Sequence, residues 1–223
     1  IKKYILEDFE TYFFKQPKEK VVAEYSRRIN NYLGENQVGT KHIADLHDLG
    51  YIPMVIKSLP EGASVPLRVP MFTMYNTKPE FFWLTNYFET LLSAIIWMPC
   101  TSATIAKQYR MVLDRYAQET SSVPEFVQWQ GHDFSMRGMS GIEAGLTSAC
   151  GHLLSFTGTD TIPAINLLEN YYNADSDKEL IGGSVAATEH SVMCMGTTDG
   201  ELETFRRLVC EIYPKGIVSI VSD

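Results

Sequence analysis

Gln130-Gly-His-Asp-Phe-Ser-Met-Arg-Gly138 is the first of four short runs whose reading decides the fold. The others are Phe156-Thr-Gly-Thr-Asp-Thr161, Gly183-Ser-Val-Ala-Ala-Thr-Glu-His-Ser191 and Gly216-Ile-Val-Ser-Ile-Val-Ser-Asp223. Each run is apolar and ends in a polar cluster. The anchors Arg137, Asp160, His190 and Asp223 follow one another at intervals of 23, 30 and 33 positions. Such intervals suit strand-helix-strand units, because parallel strands need a crossover of about a dozen residues or more. Ionisable groups at the carboxyl ends of successive parallel strands are where α/β barrels and open α/β sheets place their chemistry.

Working outward, the intervening stretches Gly141–Leu154, Pro163–Tyr172 and Glu201–Tyr213 read as the crossover helices. Upstream, Lys78 to Thr120 is helical in pattern, with a break expected at Pro99. Residues 51–77 carry short β-rich runs punctuated by Pro and Gly, from Met54-Val-Ile-Lys-Ser-Leu59 to Val69-Pro-Met-Phe-Thr-Met-Tyr75, and predict an antiparallel β layer. The first 50 residues read as helices, with Gly34 and Gly50 as stops and Thr40 as a cap. A boundary near residue 120 separates an α+β region, 1–120, from an α/β region, 121–223. The opening inside a helical pattern and the closing strand, uncovered by a helix, read as a piece of a longer protein.

Composition narrows the function classes. A net charge of −8 over 223 residues argues against a nucleic-acid surface, which needs a clustered basic face. A few local Arg and His side chains can still hold a phosphorylated small ligand. No stretch approaches 18 consecutive apolar residues, so no membrane span is expected. Cys100, Cys150, Cys194 and Cys210 lack metal or redox spacing and read as buried, reduced thiols of a cytoplasmic protein.

The chemistry-bearing residues each carry a bland reading beside the functional one. Arg137 offers a planar fork for phosphate, and Phe134 a face for a heteroaromatic ring; equally, Arg137 pairs with a structural carboxylate and Phe134 is core. Asp160, just before the helix-starting Pro163, more commonly caps the following helix. Glu189 and His190 are neighbours on a strand end and point to opposite faces, so Glu189 reads as a supporting partner of the site. A lone His is usually structural, but His190 falls in register with the other anchors. His42, His47 and His152 receive no role.

Taken together, these stretches resemble the nicotinamide phosphoribosyltransferase family. The resemblance rests on Asn86–Thr90, His132-Asp-Phe134 with Arg137-Gly138, Gly158-Thr-Asp-Thr161, Ser184-Val185 with Glu189-His-Ser191, and Val218-Ser-Ile-Val-Ser-Asp223. Lys57-Ser-Leu-Pro-Glu-Gly62 through Asn76-Thr77 is similar to the family's β layer. Ser135-Met136 stands where the family usually has Gly-Tyr, and Ala186 where it has Pro. The resemblance covers under half of a full-length member.

The resemblance implies an α+β domain with an antiparallel β layer, followed by the first half of an irregular (β/α) barrel. It implies phosphoribosyl transfer from phosphoribosyl pyrophosphate to nicotinamide, giving nicotinamide mononucleotide for NAD salvage. Phe134 would stack on the pyridine and Asp160 would accept the carboxamide N–H. Arg137 and His190 would hold the diphosphate, with Ser184 in the substrate pocket and Ser219 facing the carboxamide. Asp223 would lie near the ribose or magnesium-bound phosphates. Mg²⁺ is implied with the diphosphate substrate, ATP as an activator, and a homodimer as the full-length assembly. The segment alone is expected to be inactive. Nicotinate phosphoribosyltransferase and a non-catalytic module of the same fold are the alternatives.

Overall fold

The helix α3, Trp83–Thr120, is the axis on which the described residues, 1–222 of a computed structural model, are assembled. Leu84, Phe88 and Leu92 recur every four residues and so share one helix face. With Leu46 and Phe81 they form the main buried cluster. Two more elements close over that face. One is the N-terminal pair of wide-turned helical segments, Lys3–Asp8 and Glu10–Phe14, which brings in Ile5, Phe9 and Phe13; Phe9 stacks on Phe88 with ring centroids 5.7 Å apart. The other is the hairpin of β1, Met54–Ser58, and β2, Phe72–Asn76, paired antiparallel from Met54↔Asn76 to Ser58↔Phe72. Its alternation sends Met54, Ile56, Phe72 and Met74 to the cluster.

Helices α1, Lys18–Leu33, and α2, Lys41–Leu49, precede the hairpin. Gly50 ends α2 at φ 75, a left-handed conformation that a residue without Cβ adopts freely, and its N–H donates to the carbonyls of His47 and Leu46. Thr40 occupies the expected cap position, but its hydroxyl makes no capping bond. His42 and His47 tie helices together: His42 Nε2 lies 3.1 Å from Tyr25 Oη, and His47 Nε2 lies 2.8 Å from the carbonyl of Gln16.

The break expected at Pro99 does not occur, and α3 runs through it. A proline inside a helix costs about 3 kcal/mol through its missing N–H and its ring. Tertiary bonds to α5, Ile142–His152, and to the turn after it brace the helix beyond Pro99. Ser102 Oγ donates to the Ser148 carbonyl at 2.7 Å, and Arg110 Nη1 to the Ser155 carbonyl at 2.7 Å. Gly151 lies so close that a Cβ there would come within 2.5 Å of the Pro99 oxygen. Uninterrupted, α3 is long and apolar enough to cross a membrane by length and composition alone. One of its faces is nevertheless committed to the packing just described.

Beyond α3 the expected alternation of strand and helix is present. The strand β3, His132–Asp133, leads into the single turn α4, Ser135–Gly138, and then α5. β4, Gly158–Thr159, leads into α6, Pro163–Tyr172. β5, Ala186–Ala187, leads through α7, His190–Cys194, and α8, Thr197–Arg207, to β6, Val218–Ser219. β3 pairs parallel with β4, and Gly158 bridges in parallel to Gly183; β5 pairs parallel with β6. The architecture is therefore mixed α/β with small sheets. Among the described residues no disulfide forms. Cys100 and Cys150 are half-buried, whereas Cys194 and Cys210 are exposed rather than buried as the sequence suggested.

Candidate functional site

Three of the four anchor segments meet where the short parallel strands end. Alternation along His132-Asp-Phe134 sends Asp133 inward, with His132 and Phe134 toward the other face. Asp133 is buried, and its carboxylate accepts hydrogen bonds from Thr159 Oγ1 at 2.9 Å, Thr161 Oγ1 at 2.7 Å and the Ser135 N–H at 3.2 Å. Burial pushes its pKa up, but the bonds from Ser135, Thr161 and Thr159 outweigh this and hold it below the ordinary carboxylate value. One buried charge thus fixes the turn after β3 to the turn after β4, and with them Phe134 and Asp160.

Asp160 follows β4 directly and does not cap α6, whose N-cap residue is Ile162. Its backbone N–H donates to the Asp133 carbonyl at 2.9 Å, continuing the parallel pairing by one residue. Its Oδ1 lies 2.7 Å from His132 Nε2 and accepts from Ser184 Oγ at 2.9 Å. Burial raises its pKa, but the bonds from His132 and Ser184, with the charges of His132 and Arg137, prevail and leave it lowered. An ionised, partly exposed carboxylate held from two sides is thus the chemical centre of the cluster.

Phe134 stands beside it, half exposed at 53%, with its ring centroid 4.8 Å from that of His132. It is therefore an open aromatic face and not a core residue. Arg137, on α4, reaches Glu189 with Nη2 3.2 Å from Oε2, and both side chains are well exposed. Arg137 thus has the carboxylate partner that the sequence allowed for, and Glu189 is that partner. Glu189 is the N-cap residue of α7, so Arg137 meets the chain one residue from His190, which opens that helix and is exposed. Ser219 is exposed on β6 opposite Ala187, and its carbonyl accepts the Thr188 N–H at 3.0 Å. Asp223 lies outside the described residues.

The structure thus brings His132, Asp160 and Ser184 into direct contact, sets Phe134 against His132, and joins Arg137 to the segment of His190. Sequence reasoning quoted His132 and Asp133 but gave them no role. The signal was available for His132, which shares a strand face with Phe134 two residues on. The Asp133 contacts reach residues 26 and 28 positions away, which local pattern does not reveal. Among the described residues, no group of three His, Cys, Asp or Glu side chains could hold a metal ion. Chemically, the cluster can accept an N–H at Asp160, stack a flat ring on Phe134, and offer a guanidinium and an imidazole to an anion.

Comparison with known proteins finds similarity to phosphoribosyltransferases. Residues 129–211 match the model of the nicotinate phosphoribosyltransferase (NAPRTase) family. A nicotinamide phosphoribosyltransferase of Acinetobacter baylyi is 55% identical over 223 residues, which is 100% of this chain and 44% of the relative. One from Mycoplasma pneumoniae is 36% identical over 88% of this chain and 42% of its own length. One from Xanthomonas campestris pv. campestris is 33% identical over 84% of this chain and 39% of its own length. The chain thus spans under half the length of the curated relatives it matches. The likeness carried by the motifs extends across the whole of it.

Proposed function

We propose that this chain carries the pyridine-recognising part of a nicotinamide phosphoribosyltransferase. The observation that supports it most is the Asp160 carboxylate, ionised, partly exposed and tethered beside the open ring of Phe134. Nicotinamide would lie on Phe134 and donate its carboxamide N–H to Asp160, with Ser219 on the carboxamide and Ser184 lining the pocket. The pyridine nitrogen attacks C1 of the phosphoribosyl donor, and the C1–O bond to pyrophosphate breaks with its electron pair leaving on the diphosphate. Arg137 and His190 would bind that leaving group, so positioning and charge stabilisation supply most of the rate.

Magnesium fits as a cation that arrives on the diphosphate. Mg²⁺ keeps several waters and takes one or two carboxylates plus substrate phosphates, so it would enter with the diphosphate that Arg137 and His190 hold. When bound it would neutralise the diphosphate's charge, with Asp223 as the candidate carboxylate near it. The proposal extends to ATP as an activator, to a cytoplasmic homodimer, and to a protein without nucleic-acid or membrane partners. It takes residues 1–120 as an α+β domain and 121–223 as the first half of an irregular (β/α) barrel.

The NAPRTase match over residues 129–211 favours a second reading, nicotinate as the acceptor. Charge decides between them. Two unit charges about 4 Å apart at an effective dielectric near 20 repel by roughly 4 kcal/mol. Solvent screening at a site this exposed leaves on the order of 1 kcal/mol. The lost N–H bond to a charged acceptor adds roughly 1.5–3 kcal/mol. Together these come to roughly 2.5–4 kcal/mol and predict a preference for nicotinamide on the order of a hundredfold in kcat/KM. Competition kinetics on the full-length protein should show that preference, and Asp160→Asn should relax it. Equal use of both pyridines by the unmutated protein would overturn the proposal.

A further inference from the structure

We propose that His132 is a positioning residue for pyridine selection: through its ring it aims the Asp160 carboxylate at the carboxamide. This rests on the reading of Asp160 given above and adds a residue to it. An ionised carboxylate only accepts, so the hydrogen in the 2.7 Å contact belongs to Nε2 of His132. Ser184 Oγ donates to the same oxygen at 2.9 Å. Both side-chain bonds therefore fall on Oδ1. They fix the plane of the carboxylate and leave Oδ2 as the atom to meet a ligand's N–H.

His132 is itself seated. Its ring rests on Gly158, its partner in the β3–β4 register. A Cβ at Gly158 would come within 2.6 Å of His132 Nδ1 and 3.1 Å of the Gly131 carbonyl, so the seat exists because residue 158 has no side chain. The ring is also tilted against Phe134, at 4.8 Å and 42° between planes. One imidazole therefore sets the spacing between the aromatic face and the carboxylate, the two groups that must engage one flat ring together. Without it, an exposed carboxylate tethered by Ser184 alone can rotate, and the acceptor no longer stands where the stacked carboxamide presents its N–H.

Three variants of the full-length protein separate this from a merely structural role. His132→Ala should raise KM for nicotinamide about tenfold, the usual effect of losing a hydrogen bond to a charged group. It should also lower the nicotinamide-to-nicotinate preference, while KM for phosphoribosyl pyrophosphate stays within about twofold. His132→Gln, whose amide nitrogen reaches roughly as far as Nε2, should recover most of the loss. Gly158→Ala keeps the imidazole but fills its seat, and should reproduce the His132→Ala signature. Ring ¹⁵N shifts of His132 read the tether without turnover: they should report the Nε2–H form, and should move in Asp160→Asn. An Nδ1–H ring, or shifts unchanged in Asp160→Asn, would overturn the proposal. So would His132→Ala with both KM values and the preference unaltered, or a proportional loss for both substrates that Gln does not rescue. If the unmutated protein fails to prefer nicotinamide while the ring shifts report the tether, the functional reading fails and the His132–Asp160 tether stands.

Discussion

Asp160 and Arg137 act through different balances of charge and exposure. The Asp160 carboxyl is held below its ordinary value, so it is ionised throughout the neutral range. A carboxyl with a lowered pKa keeps its charge-dependent role above that value and loses it only as pH falls through it. The ordinary value is about 3.9, so the nicotinamide preference should stay flat from about pH 6 to 8. Measuring the kcat/KM ratio across that range checks it; a preference that collapses near neutrality would point to another group. Arg137 is paired only at the surface, with Glu189, and exposed pairs contribute about 0–1 kcal/mol. Glu189→Gln should therefore leave thermal stability nearly unchanged. Arg137→Lys should raise KM for phosphoribosyl pyrophosphate severalfold, because a point charge replaces a bidentate fork. Paired thermal melts and steady-state kinetics on the two variants check both outcomes.

The turns after β3 and β4 are one unit because Asp133 joins them. Its carboxylate receives Thr159, Thr161 and Ser135. Asp133→Asn keeps one acceptor oxygen and puts a donor in place of the other, leaving buried hydroxyls mispaired. The expected cost is about 1–3 kcal/mol, a Tm lower by roughly 2–4 °C per kcal/mol for a chain of this size. The Asp133 pKa is lowered on folding, so its stabilisation is present above the unfolded value and is lost as pH falls through the folded one. The Tm gap between variant and parent should therefore narrow below about pH 4, as thermal melts across pH will show. This unit also marks what the sequence makes legible. The bounds of α6 follow from Pro163 and the apolar spacing behind it, and the hairpin from alternation between Pro and Gly breaks. The parallel strands are two residues each, too short for periodicity to register, and were found only through the polar anchors that follow them. Pro99 misled because the bond that braces α3 beyond it comes from α5, some 46 residues on. The strand face that His132 shares with Phe134 is legible, but its contact with Asp160 is not, because that partner lies 28 residues away.

At the scale of the molecule, the described residues gather Phe134, Asp160 and Ser184 beside the ends of short parallel strands, while the hairpin and N-terminal helical segments cluster on α3. The chain aligns with 44% of the Acinetobacter baylyi relative, so catalysis is a property to be measured on the full-length protein. The central claim is that a pyridine amide, recognised at Asp160, receives a phosphoribosyl group. The most direct measurement is product formation from nicotinamide and phosphoribosyl pyrophosphate with Mg²⁺, comparing the full-length protein with its Asp160→Ala variant. Nicotinamide mononucleotide and pyrophosphate should appear in equal amounts, and Asp160→Ala should lower kcat/KM for nicotinamide about tenfold or more, the scale of a lost bond to a charged acceptor. No product from the unmutated protein, or an undiminished rate in Asp160→Ala, would contradict the account.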